Sequence, residues 1–397
     1  AQYQMGEMSA NNYGIQNPEN PLAYVSKIRN TRNGKRGLYN AFANFNIMEG
    51  LDFKINGGLS TYDEKKDYYR PTSIANGNNA PYSDNAKTAA YADANTRSEI
   101  DKLVEGTLTY NKTFNEKHTV NALLGYSAQR TDIDYVAVRA NGFQNDAIGE
   151  ISDKGADPSN FQLREAYKRI TTLQSYFSRV NYSYDGRYFL SATFRTDGSS
   201  RFGPNTKWGT FPSLSAGWNL SKESFYNSWL GDGSTVKLRA SWGRTGNNNI
   251  GDYNAITTYN SPTGVIIGNR VETAYAPGDL KDPNLGWEST SQYNGGIDIG
   301  LFRGRLNIMS NIYLSRSYNL LFDQPITAIA GTTTILTNLP NSKVQNKGFD
   351  VQVDAAIIRK KDFDLGFSGN INVNRNKVLN LGGASTIITN GAERSYM

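Results

Sequence analysis

Residues Leu51–Thr61 read LDFKINGGLST, and the two alternate registers of this stretch have opposite chemistry. Leu51, Phe53, Ile55, Gly57, Leu59 and Thr61 are uncharged, whereas Asp52, Lys54, Asn56, Gly58 and Ser60 are charged, amidic or small. Successive side chains on a strand point to opposite faces, so the segment is a ribbon with one apolar and one polar side. The same split recurs at Tyr39/Ala41/Ala43/Phe45/Ile47, Val104/Gly106/Leu108/Tyr110 and Val120/Ala122/Leu124/Tyr126/Ala128. It returns within Tyr176–Tyr184, Tyr188–Phe194, Leu214–Leu220, Val236–Trp242, Tyr293–Leu301, Leu306–Leu314, Phe349–Ile357 and Phe363–Val373, making twelve strands in all.

Charge placement says what each face meets. The twelve apolar registers hold no Lys, Arg, Asp or Glu, whereas the opposite registers carry Asp52, Lys54, Glu105, Arg179, Arg187, Arg195, Lys237, Arg239, Asp298, Arg305, Asp354 and Asp364. A basic side chain facing lipid at the bilayer midplane costs about 2–4 kcal/mol, so exclusion this complete is expected of a lipid-facing surface. Many of the segments reach about ten residues, the length a tilted membrane-spanning strand needs, against about 5–6 for an average soluble strand. A soluble β-sandwich would bury the same apolar faces against each other, but the length and number of strands argue against it.

The connections alternate in length. Short links fall at Glu49-Gly50, Lys112–Lys117, Asp185-Gly186, Arg303-Gly304 and Arg359–Asp362, with a slightly longer one at Ser221–Ser234. Long polar links are expected at Asp63–Arg97, Arg130–Ile170, Thr196–Lys207, Gly246–Leu285 and Ser317–Val344. Outer-membrane barrels have short periplasmic turns and long extracellular loops, which places Asp185-Gly186, a two-residue hairpin signal, at the periplasmic rim. Tyr182, Tyr184 and Tyr188 flank that turn, and Trp218, Phe225 and Trp229 surround the next periplasmic link. Trp208, Trp242 and Trp287 are expected at the outer ends, where amphipathic rings suit headgroup depth.

Composition removes other classes. The 397 residues carry 42 basic and 36 acidic side chains, one His and no Cys. That excludes disulfide scaffolds, Cys-ligated metal sites, thiol nucleophiles and multi-His centres. No run of 18 predominantly apolar residues exists, so no spanning helix is expected. The basic excess is modest and scattered, which gives nucleic-acid binding no support. Asp197-Gly198 and Gly231-Asp232-Gly233 lack the ligand spacing of a calcium loop. Ala1–Ala10 lacks the basic and apolar regions of a signal peptide, and the chain ends in a polar stretch at Met397. A piece of a longer protein is therefore expected, with residues 1–397 a single partial barrel domain.

Three longer motifs add a family. Arg195–Phe211 (RTDGSSRFGPNTKWGTF), Ser241–Tyr253 (SWGRTGNNNIGDY) and Lys281–Asp298 (KDPNLGWESTSQYNGGID) occur in the order seen in SusC/RagA proteins, and Lys347–Asp354 (KGFDVQVD) and Asn370–Val378 (NINVNRNKV) continue the match. The chain thus resembles the SusC/RagA family of TonB-dependent transporters of the Bacteroidetes outer membrane. The resemblance implies an all-β, antiparallel transmembrane barrel of which this chain holds about twelve strands out of 22. It also implies a plug and N-terminal regions outside this chain. Its implied function is TonB-dependent import of a large nutrient, an oligosaccharide or peptide. The implied partners are a SusD-like lid lipoprotein, the TonB–ExbB–ExbD complex acting through the plug, and outer-membrane lipid. No catalytic, cofactor or metal residue is expected.

Candidate ligand or lid contacts are Tyr62, Tyr68 and Tyr69, stacking faces beside charges, and Arg195, Asp197 and Arg201 at a strand end. Solvated loop packing for the tyrosines and a salt-bridged rim network for the Arg/Asp group are the competing structural readings. His118 is placed at the periplasmic rim, the wrong end for an outer-rim hydrolase. A passive twelve-strand porin and a barrel enzyme remain the alternatives, and an enzyme would need a nucleophile or paired carboxylates at the outer rim.

Overall fold

The computed structural model describes residues 21–74, 84–152, 156, 160–226, 233–256, 259, 263–275, 278, 280–326 and 334–382. Strands β1 (Arg29–Met48), β2 (Leu51–Arg70), β3 (Tyr91–Phe114), β4 (His118–Asn141), β5 (Phe161–Tyr184), β6 (Tyr188–Ser199), β7 (Trp208–Asn219) and β8 (Thr235–Asn247) neighbour one another in chain order. β9 (Thr263–Ile267) and β10 (Arg270–Ala274) form a separate hairpin. β11 (Glu288–Leu301) and β12 (Leu306–Tyr318) rejoin the main sheet, β13 (Leu321–Pro325) and β14 (Thr334–Asn338) form a second hairpin, and β15 (Lys343–Lys360) and β16 (Phe363–Asn380) complete the twelve. Among the described residues β1 and β16 are edge strands and the sheet is not closed.

The apolar registers are not buried against a second sheet. Leu124 on β4 is 62 % exposed and Ile312 on β12 is 64 % exposed, although both strands lie inside the sheet. Burying such a side chain is worth about 1.5–3 kcal/mol, so a continuous row of them in water would be heavily unfavourable. Hydrocarbon must cover that face. The polar registers carry a hydrogen-bonded lattice instead. Arg239 donates to both carboxylate oxygens of Asp298 at 2.8 and 2.7 Å and to Asn311 at 2.9 Å, and Asn311 donates to Asp350 at 2.6 Å. An aromatic ring also stands in the even register of β1: Phe42 lies under the Lys54 ammonium, 4.9 Å from ring centre to nitrogen.

The periplasmic turns are tight and tied together. Asp185 and Gly186 adopt φ of +52° and +61°, the left-handed pair of a type I′ turn, and the Arg187 amide donates to the Tyr184 carbonyl at 2.8 Å. Main-chain bonds of 2.7 Å run from Asp185 to Lys117 and from Asn219 to Arg187, linking neighbouring turns. Here the aromatic girdle is continuous, with Tyr184 stacked on Tyr188 and Tyr188 on Trp218, each at 6.3 Å. Trp208, at the other end of β7 on the same face, is ten residues from Trp218. That is ~33 Å along a strand and, at a tilt of about 40°, about 25 Å along the membrane normal, the height of an outer-membrane apolar band. Trp208 in turn meets Tyr176, and Tyr176 meets Tyr126, forming the outer row.

Several expectations need correction. β2 runs on to Arg70, β3 begins at Tyr91, β4 extends to Asn141 and β5 begins at Phe161, so about half of the residues in the links expected at 63–97 and 130–170 are strand. Beyond the lipid both faces of a strand meet water, the alternation of polarity ends, and period 2 no longer reveals pairing that continues. The links at 246–285 and 317–344 each contain a short hairpin whose five-residue strands give too little periodicity to be seen. Trp287 is not a girdle residue. Its ring packs on Phe202 and Phe211 at 5.1 and 5.2 Å, and Nε1 donates to the Lys207 carbonyl at 2.9 Å. Trp229 lies outside the described residues.

The chain divides into two compact units. One comprises residues 1–41, 57–104 and 129–171, and the other 42–56, 105–128 and 172–397. The first has a small core of Tyr69, Ala90, Ala92, Ala140, Phe143 and Ala156, while the second has Phe202, Ile250, Ala255 and Leu285 beneath Trp287.

Candidate functional site

The first unit carries a wall of tyrosines and charged groups. It arises because the polar registers of β2 to β5 continue past the apolar band. On β2 the even positions supply Tyr62, Glu64 and Tyr68, and on β3 the odd positions supply Tyr91, Asp93, Arg97 and Glu99. Tyr135 and Arg139 follow on β4, and Tyr167 and Arg169 on β5.

These side chains order one another. Tyr68 stacks on Tyr91 at 5.3 Å, and Tyr135 stacks on Tyr167 at 5.1 Å. The Arg139 guanidinium lies 3.9 Å from the Tyr91 ring centre and forms a two-pronged pair with Asp93 at 2.6 and 2.8 Å. Arg169 sits over Tyr167 at 4.0 Å, and Arg36 over Tyr62 at 5.4 Å. A cation over an aromatic face is held by the ring quadrupole, so each guanidinium keeps its hydrogen-bonding edge free in part. The Tyr62 hydroxyl donates to Glu64, which also takes a bond from Arg32. The Tyr62 hydroxyl and then the Arg32 guanidinium hold the Glu64 carboxyl below its ordinary value, so it is an anion at neutral pH. Burial lifts the Tyr68 phenol above its usual range, keeping it a neutral donor. Arg97 donates to Glu99 at 2.7 Å, while its Nε is a buried donor with no partner among the described residues.

The second unit holds the other candidates. Arg195 donates through Nε to Asp197 at 2.8 Å and through Nη2 to Ser175 at 2.9 Å, with its guanidinium 5.4 Å from the Phe177 ring centre. Asp197 is buried. This is the salt-bridged rim network. Arg201 is not part of it: its side chain pairs with Asp252 at 3.0 Å and with the Asn248 carbonyl at 3.1 Å, fastening the loop that follows β8.

The expected residues therefore separate. Tyr62 and Tyr68 share the wall. Tyr69 points to the opposite face, where it is 5 % exposed, packs edge-on against Phe143 at 5.1 Å and donates to Asp146 at 2.8 Å. Arg195 and Asp197 form one pair, and Arg201 another. Tyr91, Tyr135, Tyr167, Arg139 and Arg169 were not singled out from sequence because they fell in expected loops. Continuing the odd register of β3 to β5 outward would have found them. His118 opens β4 at the periplasmic rim, where its Nδ1 lies 2.8 Å from the Tyr182 hydroxyl.

Comparison with known proteins assigns the barrel. The family profile "TonB dependent receptor-like, beta-barrel" matches residues 3–391. TonB-dependent receptor P39 of Formosa agariphila is 35 % identical over 375 residues, covering 94 % of this chain and 34 % of that protein. TonB-dependent receptor SusC of Bacteroides thetaiotaomicron is 36 % identical over 238 residues, covering 57 % of this chain and 23 % of SusC. A solved structure of the RagAB peptide transporter superposes with a TM-score of 0.75 at 25 % identity, covering 90 % of this chain and 38 % of that one. The chain spans about a third of the length of the relatives it matches.

Proposed function

This chain belongs to the TonB-dependent receptor β-barrel family of the outer membrane, with SusC- and RagA-like relatives, and we propose that the whole protein imports a large polar nutrient, an oligosaccharide or a peptide. The observation that carries this reading is the wall in the first unit. Stacked tyrosines offer flat faces to sugar rings or side chains, and guanidinium groups and Glu64 supply hydrogen bonds to hydroxyls, amides or carboxylates. Such a surface binds by many weak polar contacts, which suits an extended hydrophilic cargo and not a small apolar one.

A barrel of the family's size encloses an aqueous lumen, so a plug has to fill it until transport begins. In this reading a SusD-like lipoprotein closes over the extracellular mouth, and the TonB–ExbB–ExbD complex acts through the plug. RagAB, a peptide transporter, supports the peptide alternative, and the relative named SusC supports membership of the same transporter group.

The test is uptake by the full-length protein in its host. Tyr91, Tyr135 and Tyr167 changed together to Ala should lower uptake of labelled cargo at unchanged barrel abundance, and loss of TonB should abolish it. Uptake that persists without TonB would make the protein a passive pore.

A further inference from the structure

The lipid-facing side of the second unit changes character abruptly at its outer end. On β8 the outward register runs Val236, Leu238, Ala240, Trp242 and then Arg244. On β12 it runs Leu306, Ile308, Ser310, Ile312, Leu314 and then Arg316. β15 and β16 do the same, with Phe349 followed outward by Lys347 and Val373 followed outward by Arg375 and Lys377.

Register places these cations side by side. Ser291 of β11 pairs with both Arg244 and Arg316, so the two guanidinium stems flank one strand. Leu314 is opposite Lys347, Lys347 is opposite Arg375, and Gln345 is opposite Lys377. Arg244 donates to Ser289 at 2.9 Å and Arg316 to Gln345 at 3.2 Å. Further out, Lys343 lies over the Tyr318 ring at 5.3 Å. None of Arg244, Arg316, Lys347, Arg375 and Lys377 forms a salt bridge among the described residues, and this face of the four strands offers no carboxylate at that level. Like charges directly opposite on neighbouring strands are destabilising, so Lys347 beside Arg375 is an unfavourable arrangement unless an anion lies between them.

We propose that this basic band is a binding surface for the phosphorylated headgroup of outer-leaflet glycolipid, with the acyl chains on the aliphatic registers below. Depth selects the ligand. The band begins where the apolar register ends, on the extracellular side, which is where the phosphates of a lipid A-type molecule lie when its chains cover Ile312, Phe349 and Val373. Arg forks match phosphate oxygens two at a time, and a juxtamembrane cluster of cations is the standard recognition device for anionic lipid. A soluble anion would gain nothing from the apolar half of the surface. The inference rests on the outward orientation of the apolar registers and is independent of the imported cargo.

Native mass spectrometry of the full-length transporter, extracted from outer membranes in mild detergent, reads the bound lipid directly. A variant carrying R316Q, K347Q, R375Q and K377Q should retain phosphorylated lipid A about tenfold less than the unmodified protein, or weaker still. A variant carrying R316K and R375K, with the charge kept, should retain most of it. Reconstitution into phosphatidylethanolamine nanodiscs should show enrichment of lipid A but not of enzymatically dephosphorylated lipid A. Equal retention by the glutamine variant, with both proteins showing the heat-sensitive gel mobility of a folded barrel, overturns the proposal. So does enrichment indifferent to the phosphates. Displacement of the lipid by excess inorganic phosphate would make this a free-anion site and would also overturn it.

Discussion

The Tyr188 hydroxyl donates to Oε1 of Glu223 at 2.7 Å, and the Trp218 indole donates to the same oxygen at 3.0 Å. One carboxylate from a periplasmic link thus holds two rings of the girdle, while its other oxygen faces Arg187 at 3.4 Å. Those hydrogen bonds, helped by the Arg187 charge, keep the Glu223 carboxyl below its ordinary value of 4.5. A group depressed in the folded state contributes stability that is complete above its unfolded value and is lost as pH falls through its folded value. Denaturant titrations of the full-length barrel should therefore show the Glu223 contribution constant near neutrality and declining below about pH 4.5. Glu223→Gln should remove that part of the pH dependence, and a variant with the unmodified acid profile would contradict the linkage.

Leu190 and Ile297 are on the hydrocarbon face, whereas their neighbours Ser191 and Asn294 belong to the polar lattice, Ser191 donating to Asn181 at 2.6 Å and Asn294 to Ser241 at 3.2 Å. Arg at Leu190 or Ile297 should cost about 2–4 kcal/mol of folding in bilayers. Arg at Ser191 or Asn294 should cost much less, because water and acceptors are at hand. Equal losses in a vesicle folding assay would mean that the faces have been assigned the wrong way round.

Gly348 permits a close approach on β15. A Cβ there would stand 2.1 Å from the backbone carbonyl oxygen of Val373 on β16 and 2.6 Å from the Tyr313 hydroxyl. The carbonyl belongs to a paired strand and cannot swing aside. Gly348→Ala should destabilise the barrel by on the order of 1–3 kcal/mol. Gly304, with open space around its Cβ position, serves as a control for added volume although its φ of +81° carries its own strain.

Topology is checked by a protease site inserted at two tips. Gly268 at the β9–β10 tip has nothing within 4 Å of its Cβ position, while Asp185-Gly186 closes the β5–β6 turn. Protease added to intact cells should cut the first insertion and spare the second until the outer membrane is breached. Cutting at the second alone would invert the barrel.

Legibility followed the lipid. Wherever hydrocarbon meets one face and water the other, composition must alternate, and Leu51–Thr61 or Val236–Trp242 show it without any coordinates. The Asp185-Gly186 turn was equally visible, because only a few residue pairs tolerate two left-handed conformations in a row. Tyr69 shows where this failed. Beyond the bilayer, water replaces lipid on the outer face, so nothing in YDEKKDYYRP shows that the strand, and with it the alternation of sides, continues as far as Tyr69. Pairing with β3 and packing against Phe143 decided it.

The sequence by itself determined the barrel class, the orientation of each spanning strand and the direction of the chain through the membrane, since the cost of a charge in hydrocarbon acts residue by residue. Only the tertiary structure decided which groups become neighbours. Tyr135 meets Tyr167 and Lys347 meets Arg375 through inter-strand register, which backbone hydrogen bonding between segments far apart in the chain sets and which no local pattern of side chains encodes.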